Sequence, residues 1–322
     1  MSATRIYKQN KFLYYTRNIV RQAMPKTWYE NRIKNKLAAI TGFDKATLLD
    51  RVNYYNKLQQ FTAIGERATA LNDLKIFERP KTYKFDAFEY TRYFDDALKA
   101  QFIFGDVTHV HTSPAIQKSR PIAGNNANAV LLKLNKARHF VFVKDAKPFA
   151  VKQNKLIGRS SIYQEHRMRF MQQYFNHPRC DLGQTNREGG NPDWLKRKRS
   201  IADHLDYKFI LSLEGNDVAT NLKWIMSSNS VAVMPKPKYE TWFMEGRLLP
   251  DVHYISLKDD FSDLEEKLDY YSANEAAAQQ IIRNANRHAA QFLNKKQEDL
   301  IALLVLRKYF YYTQQSAEYE LL

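Results

Sequence analysis

The residues with the greatest capacity for chemistry lie close together between positions 105 and 122. The segment GDVTHVHTSPAIQKSRPI contains one acid, Asp106, two histidines and the basic triplet Lys118-Ser119-Arg120. Carboxylate and imidazole groups can accept a proton, and cationic side chains can hold an anion. Because Asp106 follows a short predicted strand, 101–104, the segment is typical of a functional loop. The alternative is an aspartate that caps a turn, with the basic residues on a hydrated surface.

A second stretch, DYKFILSLEGNDVATNLKWIMSSNSVAVMP, occupies positions 206–235. Its apolar runs predict a strand over 207–213, a helix over 218–227 and a second buried strand over 230–234. The polar quartet Glu214-Gly215-Asn216-Asp217 interrupts the run where a βα turn is expected. The stretch therefore predicts a βαβ unit.

In a βαβ unit, the loop after the first strand and the first turn of the helix direct unpaired N–H groups to one place, which suits a phosphate. A nucleotide is therefore the first ligand to consider. The stretch has neither G-x-G-x-x-G nor a Walker lysine motif, so a plain connection is the alternative.

The other helices and strands, which must position these two stretches, are predicted from hydrophobic periodicity and from helix- and strand-breaking residues. Helices are predicted over 45–58, 86–100, 128–134, 163–175, 261–271, 275–293 and 297–311, strands over 139–143 and 253–257, and a polar loop over 176–199. The polar segment 144–155 contains Pro148 and marks a domain boundary. We expect domains over 1–147 and 148–295, with a terminal helix in 296–322 that packs back on the first domain.

The charge balance indicates an anionic partner. The 322 residues contain 50 Lys+Arg against 34 Asp+Glu, a formal charge of +16, which suits nucleic acid, anionic lipid or a sugar nucleotide. Nucleic acid is disfavoured because the basic residues are spread along the chain and no RRM, KH or helix-turn-helix pattern occurs. The single cysteine, Cys180, excludes an internal disulfide and fits a reducing compartment, so a cytoplasmic location is expected.

The amino-terminal segment mixes basic and aromatic residues between positions 5 and 40. Such a mixture can lie on an anionic membrane surface, which would make the protein peripheral on the inner membrane. The alternative is a solvated basic helix pair packed on the domain. No signal peptide or membrane-spanning run is recognised in the sequence.

Several motifs, in this order, resemble family 90 glycosyltransferases: FGDVTHVHTSPAIQKSRPI, IGRSS, DHLDYKFILSLEGNDVATNLKWIMSSNSVAVMP and YETWFMEGRLLPDVHYISLKDDFSDLEEKL. The resemblance covers roughly residues 85 to 295. That family includes eukaryotic protein O-glucosyltransferases, fungal capsule xylosyltransferases and bacterial enzymes of the LpsA type that modify lipopolysaccharide.

The resemblance implies an α/β protein with the GT-B fold, in which two Rossmann-like domains face each other across a cleft, here with extra terminal helices. It implies inverting transfer from a UDP-sugar, without a metal or other cofactor. The sequence contains no Asp-x-Asp triplet, which agrees with the metal-free expectation. A cytoplasmic, basic, disulfide-free chain resembles the bacterial branch, so lipopolysaccharide or lipooligosaccharide core, or a related glycan, is the expected acceptor. The alternative is a catalytically inactive membrane-surface adaptor, which would keep the fold but need no acid at Asp106.

The resemblance also implies roles for residues. Asp106 matches the catalytic aspartate that takes the acceptor's proton, with His109 as the reserve base, although Gly105 stands where eukaryotic members have a basic residue. Where those members carry an arginine in the central loop, this chain has the acidic quartet 214–217. The expected donor-binding residues are Arg159, Arg167, Gly215, Asn216, Asp217, Thr220, Asn221 and Lys223, with Glu240 on the ribose.

Overall fold

The computed structural model describes residues 4–316. Residues 1–3 of the predicted first domain and residues 317–322 of the predicted terminal segment lie outside the described residues. The chain folds into two compact units that are discontinuous in sequence. The first, called the sheet unit, consists of residues 4–8, His139–Pro237 and Glu245–Gln291. The second, called the mixed unit, consists of Gln9–Arg138, Lys238–Met244 and residues 292–316.

The α-helices are distributed along the whole described chain. They are α1 (Lys11–Ala23), α2 (Lys26–Ala38), α3 (Lys45–Tyr55), α4 (Lys81–Thr91), α5 (Lys136–His139), α6 (Glu165–Tyr174), α7 (Ile201–His204), α8 (Leu222–Met226), α9 (Leu264–Ala273), α10 (Glu275–Ala290) and α11 (Lys295–Tyr312).

The strands are short, most of them with three to five residues. They are β1 (Arg5–Tyr7), β2 (Thr69–Ala70), β3 (Lys99–Ala100), β4 (Phe102–Ile103), β5 (Ala115–Gln117), β6 (Ser119–Pro121), β7 (Ala129–Leu131), β8 (Phe142–Lys144), β9 (Gln153–Ser160), β10 (Cys180–Gln184), β11 (Tyr207–Leu211), β12 (Val231–Pro235), β13 (Tyr239–Thr241) and β14 (Ile255–Leu257).

The sheet unit contains a five-stranded sheet with the order β10-β9-β11-β12-β14, in which every neighbouring pair is parallel. Its central strands β11 and β12 are apolar and buried, and the core includes Leu156, Phe209 and Val233, all fully buried. Helices α9 and α10 contribute Leu264, Leu268, Ala278, Ile281 and Ile282 to the same core. This unit has the features of a Rossmann-like α/β fold.

The mixed unit contains a smaller parallel sheet, β4-β5-β7, and the antiparallel pairs β13-β6 and β2-β3. Helix α11 packs against α3 and α4. On α11, the buried carboxylate of Glu298 pairs with Arg51 at 2.6 Å and Lys133 at 2.7 Å and accepts from Trp242 Nε1 at 2.8 Å. Although burial raises the pKa of Glu298, the two cations outweigh burial and hold that pKa below its usual range.

The predicted α/β class and the predicted βαβ unit are confirmed, since β11 and β12 are parallel neighbours. Three predictions of local structure are wrong. Residues 128–134 contain a buried strand, β7, because a short apolar run suits a central strand as well as a helix. The helix predicted over 86–100 runs over Lys81–Thr91. The polar loop 176–199 contains the edge strand β10.

The helix predicted over 218–227 is shorter than expected, with only five residues, Leu222–Met226. Side-chain bonds of Asn221 hold the preceding chain in a loop: its Nδ2 donates to the Leu211 carbonyl at 2.9 Å, and its Oδ1 accepts from Ser212 Oγ at 3.0 Å. Residues 217–220 are therefore loop residues that precede α8.

Candidate functional site

The sheet unit has a topological switch point between β9 and β11. From β9 the chain passes through α6 to β10 on one side, and α7 then leads to β11 on the other side. In parallel α/β sheets, ligands bind outside the carboxyl ends of the strands at such a point. The loops that follow β9 and β11 are therefore the candidate ligand-binding region of this unit.

Arg167 ties these two loops together. It lies in the first turn of α6, and its guanidinium donates to three backbone carbonyls: Nη1 to Ser161 at 2.8 Å, Nη2 to Leu213 at 2.8 Å and Nε to Glu214 at 2.8 Å. Ser161 follows β9, and the other two carbonyls follow β11. The structure thus fixes a cation at the switch point.

The charge of Arg167 is not matched by an acid. Within residues 4–316, no carboxylate forms an ion pair with it, although most other partly buried arginines and lysines of the sheet unit have such a partner. Burial lowers the pKa of Arg167 to about 10, so the side chain stays charged at neutral pH. A half-buried cation bonded only to neutral carbonyls is a favourable partner for an anionic ligand.

The loop over 212–221 surrounds this arginine. Asn216 is exposed, and its Oδ1 accepts from Gln164 Nε2 at 2.8 Å, which joins the same two loops a second time. A methyl group on Gly215 would lie 3.5 Å from Arg167 Nη2, so the backbone passes close to the guanidinium. Asp217 is buried, and its carbonyl accepts from the Gly215 N–H at 2.9 Å. Thr220 is half-buried and is part of the turn that leads into α8.

Two other predicted donor-binding cations are neutralised inside the sheet unit. The Arg159 Nη2 group lies 2.6 Å from Asp181 Oδ1, and Nη1 donates to the Asp181 carbonyl at 2.6 Å. Lys223 is fully buried and lies 2.7 Å from Glu245. Both side chains have the geometry of internal ion pairs, and neither is grouped with Arg167 by a shared contact.

In the mixed unit, Asp106 lies at the carboxyl end of β4, after Gly105, whose φ of +123° favours glycine. Its Oδ1 lies 2.6 Å from Nζ of Lys118, which follows the neighbouring parallel strand β5. Lys118 is almost fully buried, whereas the Asp106 side chain is 26% exposed. The Asp106 carboxylate is therefore paired with the buried Lys118 ammonium group and remains partly exposed to solvent.

The two histidines of the same loop are neighbours. The His109 and His111 rings lie 4.5 Å apart in an edge-to-face arrangement. Burial, followed by the charges of His109 and Arg67, lowers the pKa of His111, so this ring is neutral at physiological pH. The structure thus brings the reserve base, His109, into the loop of Asp106 and next to a neutral imidazole.

Glu240 is placed in a buried cross-strand pair. It lies opposite Arg120 in the β13-β6 ladder, and Arg120 Nε is 2.7 Å from Glu240 Oε1. The other carboxylate oxygen accepts from the Tyr54 hydroxyl. The predicted ribose contact thus falls on a side chain of the mixed unit whose oxygens are already bonded within that unit.

Two contributors to these sites were not predicted from the sequence. In the sequence Lys118 is only one member of a basic triplet, and its position after β5 is the signal that pairs it with Asp106. Gln164, which bonds Asn216, lies in a polar turn just before α6 and has no signal of its own.

Within residues 4–316 no helix is long and apolar enough to cross a membrane. The same residues contain no group of three or more His, Cys, Asp or Glu side chains placed to hold a metal ion.

Comparison with known proteins identifies relatives. A family model described as Glycosyl transferase family 90 matches residues 151–314. The chain is 40% identical over 307 residues to "O-glucosyltransferase LpsA" of Dichelobacter nodosus, which covers 94% of this chain and 95% of that protein. A shorter similarity, 30% over 87 residues, links 27% of the chain to 22% of "Protein O-glucosyltransferase 1" of Rattus norvegicus. The family model includes Arg167 and the loop over 212–221.

Proposed function

This chain belongs to glycosyl transferase family 90, and on that basis we propose that it transfers one sugar from a UDP-sugar to a hydroxyl group of a lipopolysaccharide or lipooligosaccharide core or a related glycan. The relatives named above are O-glucosyltransferases, so UDP-glucose is the first donor to test.

The observation that carries the proposal is the unmatched charge of Arg167 at the switch point of the sheet unit. A nucleoside diphosphate carries two or three negative charges, and an arginine can bond two of its oxygens at once. The backbone around Gly215 and the exposed amide of Asn216 lie in the same loop and can contact the remainder of the donor. In this proposal Arg159 and Lys223 stabilise the unit and leave the diphosphate to Arg167.

The proposed reaction inverts the anomeric centre. The acceptor hydroxyl loses its proton to the Asp106 carboxylate as its oxygen attacks the anomeric carbon, and the bond from that carbon to the UDP oxygen breaks on the opposite side. UDP departs with the bonding electrons, and Arg167 stabilises the charge that develops on it. Lys118 holds the Asp106 side chain in one orientation, and no metal takes part.

This reaction needs the two units on opposite sides of one cleft, as in the GT-B arrangement, which is part of the proposal. We also place the enzyme in the cytoplasm, where nucleotide sugars and the growing core meet at the inner membrane.

The direct test is UDP release in the presence of a truncated lipopolysaccharide core, with UDP-glucose, UDP-galactose and UDP-xylose supplied in parallel. We expect acceptor-dependent release with one donor, and a product whose anomeric configuration, read by proton NMR, is opposite to that of the donor. Retained configuration would overturn the inverting mechanism, and failure to bind UDP would overturn the proposal as a whole.

A further inference from the structure

Helix α1 is attached to the mixed unit through its polar side. Tyr14 donates its hydroxyl to Asp86 Oδ1 at 2.8 Å and to the Thr82 carbonyl at 3.1 Å. About two turns further on, Arg21 pairs with Glu89 at 2.7 Å. Asn18 lies between them and is also buried. The side of α1 that faces the unit thus has the buried positions 14 and 18 and the half-buried position 21, and Tyr14 and Arg21 bond acids of α4.

The opposite side of α1 is apolar and exposed. Phe12 is 75% exposed, Leu13 61%, Ile19 53% and Val20 57%. At about 100° per residue these four side chains fall in one arc of the helix, roughly opposite Tyr14 and Arg21. A helix of a soluble protein normally buries its apolar stripe and exposes its polar one. In α1 this arrangement is reversed, with Thr16 between the two apolar pairs, and an exposed apolar surface of this kind marks an interaction site.

Basic residues flank the apolar arc: by the same spacing Arg17 lies about 40° from Leu13, and Lys11, in the exposed first turn, lies about 80° from Ile19. Lys11 and Arg17 are exposed, and within the described chain neither forms an ion pair. Helix α1 contains no acidic residue, and the first acid of the chain is Glu30. We call the six residues Lys11, Phe12, Leu13, Arg17, Ile19 and Val20 the outer face of α1.

The composition of the outer face selects its partner. A second copy of the chain would bring lysine and arginine against lysine and arginine, with no acid on the face to compensate them, so self-association through it is disfavoured. An anionic bilayer offers phosphate groups to the two cations and hydrocarbon to the four apolar side chains at the appropriate depth. The formal charge of +16 attracts the whole molecule to the same surface.

We propose that the outer face of α1 docks the protein in the interface of an anionic phospholipid bilayer, with α1 lying parallel to the membrane plane. Tyr14, Asn18 and Arg21 remain bonded to the protein in the docked state, so α1 is a rigid attachment point. This docking does not depend on which sugar is transferred, and its test does not use enzymatic activity.

The experiment is co-sedimentation of the full chain with vesicles of phosphatidylcholine containing about one quarter phosphatidylglycerol. The double variant Phe12→Ser/Ile19→Ser removes two exposed apolar side chains and should lower the partition coefficient by about tenfold for each. The variant Lys11→Gln/Arg17→Gln should lower it by about fivefold per charge at low salt. All four positions are exposed, so circular dichroism and the unfolding midpoint should match those of the unaltered chain.

The matched control is Val151→Ser/Leu293→Ser, which removes exposed apolar side chains elsewhere and should bind as the unaltered chain does. Partial retention in about 0.5 M salt is expected, because salt screens the charges and leaves the apolar contact. Equal binding by the Phe12→Ser/Ile19→Ser variant would overturn the proposal. It would also be overturned by a protein dimer, seen in sedimentation velocity without lipid, that this variant dissociates.

Discussion

Replacing Arg167 with methionine tests whether this side chain recognises the donor's diphosphate. Methionine keeps most of the apolar stem and removes the charge. A hydrogen bond that involves a charged group contributes about 1.5–3 kcal/mol, so the loss of one net contact to UDP lowers the affinity about 10- to 150-fold. Because the diphosphate gains charge as the sugar leaves, kcat should fall together with kcat/KM.

The assay is isothermal titration with UDP at neutral pH, accompanied by steady-state kinetics with the preferred UDP-sugar. Arg169→Met is the matched control, since Arg169 lies on the same helix, is exposed and donates only to the Asp259 carbonyl at 3.0 Å. It should leave UDP affinity unchanged. Arg159→Met should lower the unfolding free energy by leaving Asp181 without its main partner, with a smaller effect on UDP affinity than Arg167→Met.

The methionine variant also removes the guanidinium bonds to three carbonyls, of which Glu214 keeps a contact with His166 Nε2 at 2.9 Å, so its unfolding transition must be measured. Arg167→Lys serves as a second variant because it retains the charge but cannot bond all three carbonyls in the same geometry. Its UDP affinity should lie between those of Arg167 and the methionine variant. If the methionine variant unfolds cooperatively and binds UDP within twofold of the unaltered chain, the assignment of Arg167 to the diphosphate is refuted.

Three further predictions follow from the two units. Asp106→Asn should lower transfer at least ~10²-fold with UDP affinity unchanged, and near-normal turnover would remove this residue from the mechanism. Transfer should survive EDTA, whereas strict dependence on added manganese would contradict a metal-free reaction. Burial lowers the pKa of Lys308 to about 8, below its unfolded value, so its charge opposes folding below pH 8 and this penalty disappears towards pH 10.5. Urea unfolding should therefore show that the unfolding free energy of the unaltered chain rises over that interval relative to that of Lys308→Met.

The part of the fold that the sequence predicts well is the part with buried, uninterrupted apolar strands. The strands β11 and β12 have such runs, and the polar quartet between them correctly predicts the position of the loop that surrounds Arg167. Strand β10 was missed because an edge strand needs few apolar residues, and its Asp181 and Gln184 made the segment resemble a loop. That omission had a consequence for the site, since Asp181 is the partner of Arg159.

In the candidate site, the sequence predicts the types of the residues but not their partners. The sequence identifies Arg159, Arg167 and Lys223 as cations near one ligand-binding turn, but it does not indicate which of them already has a carboxylate. Glu245, the partner of Lys223, lies 22 residues further along the chain, and Asp181 lies 22 residues after Arg159. Only the three-dimensional structure separates the two neutralised cations from Arg167.

Helix α1 shows why the buried side of a helix is difficult to predict when its partners are distant. The pattern of α1 has an apolar arc and a polar arc, and hydropathy alone would bury the first. The structure buries the second, because Asp86 and Glu89 on α4 present carboxylates to Tyr14 and Arg21 across 72 and 68 residues of sequence. Two specific bonds to buried acids fix the orientation of the helix and leave its apolar residues exposed, which is the basis of the docking proposed above. An anionic bilayer has both the charge and the hydrocarbon that this surface requires.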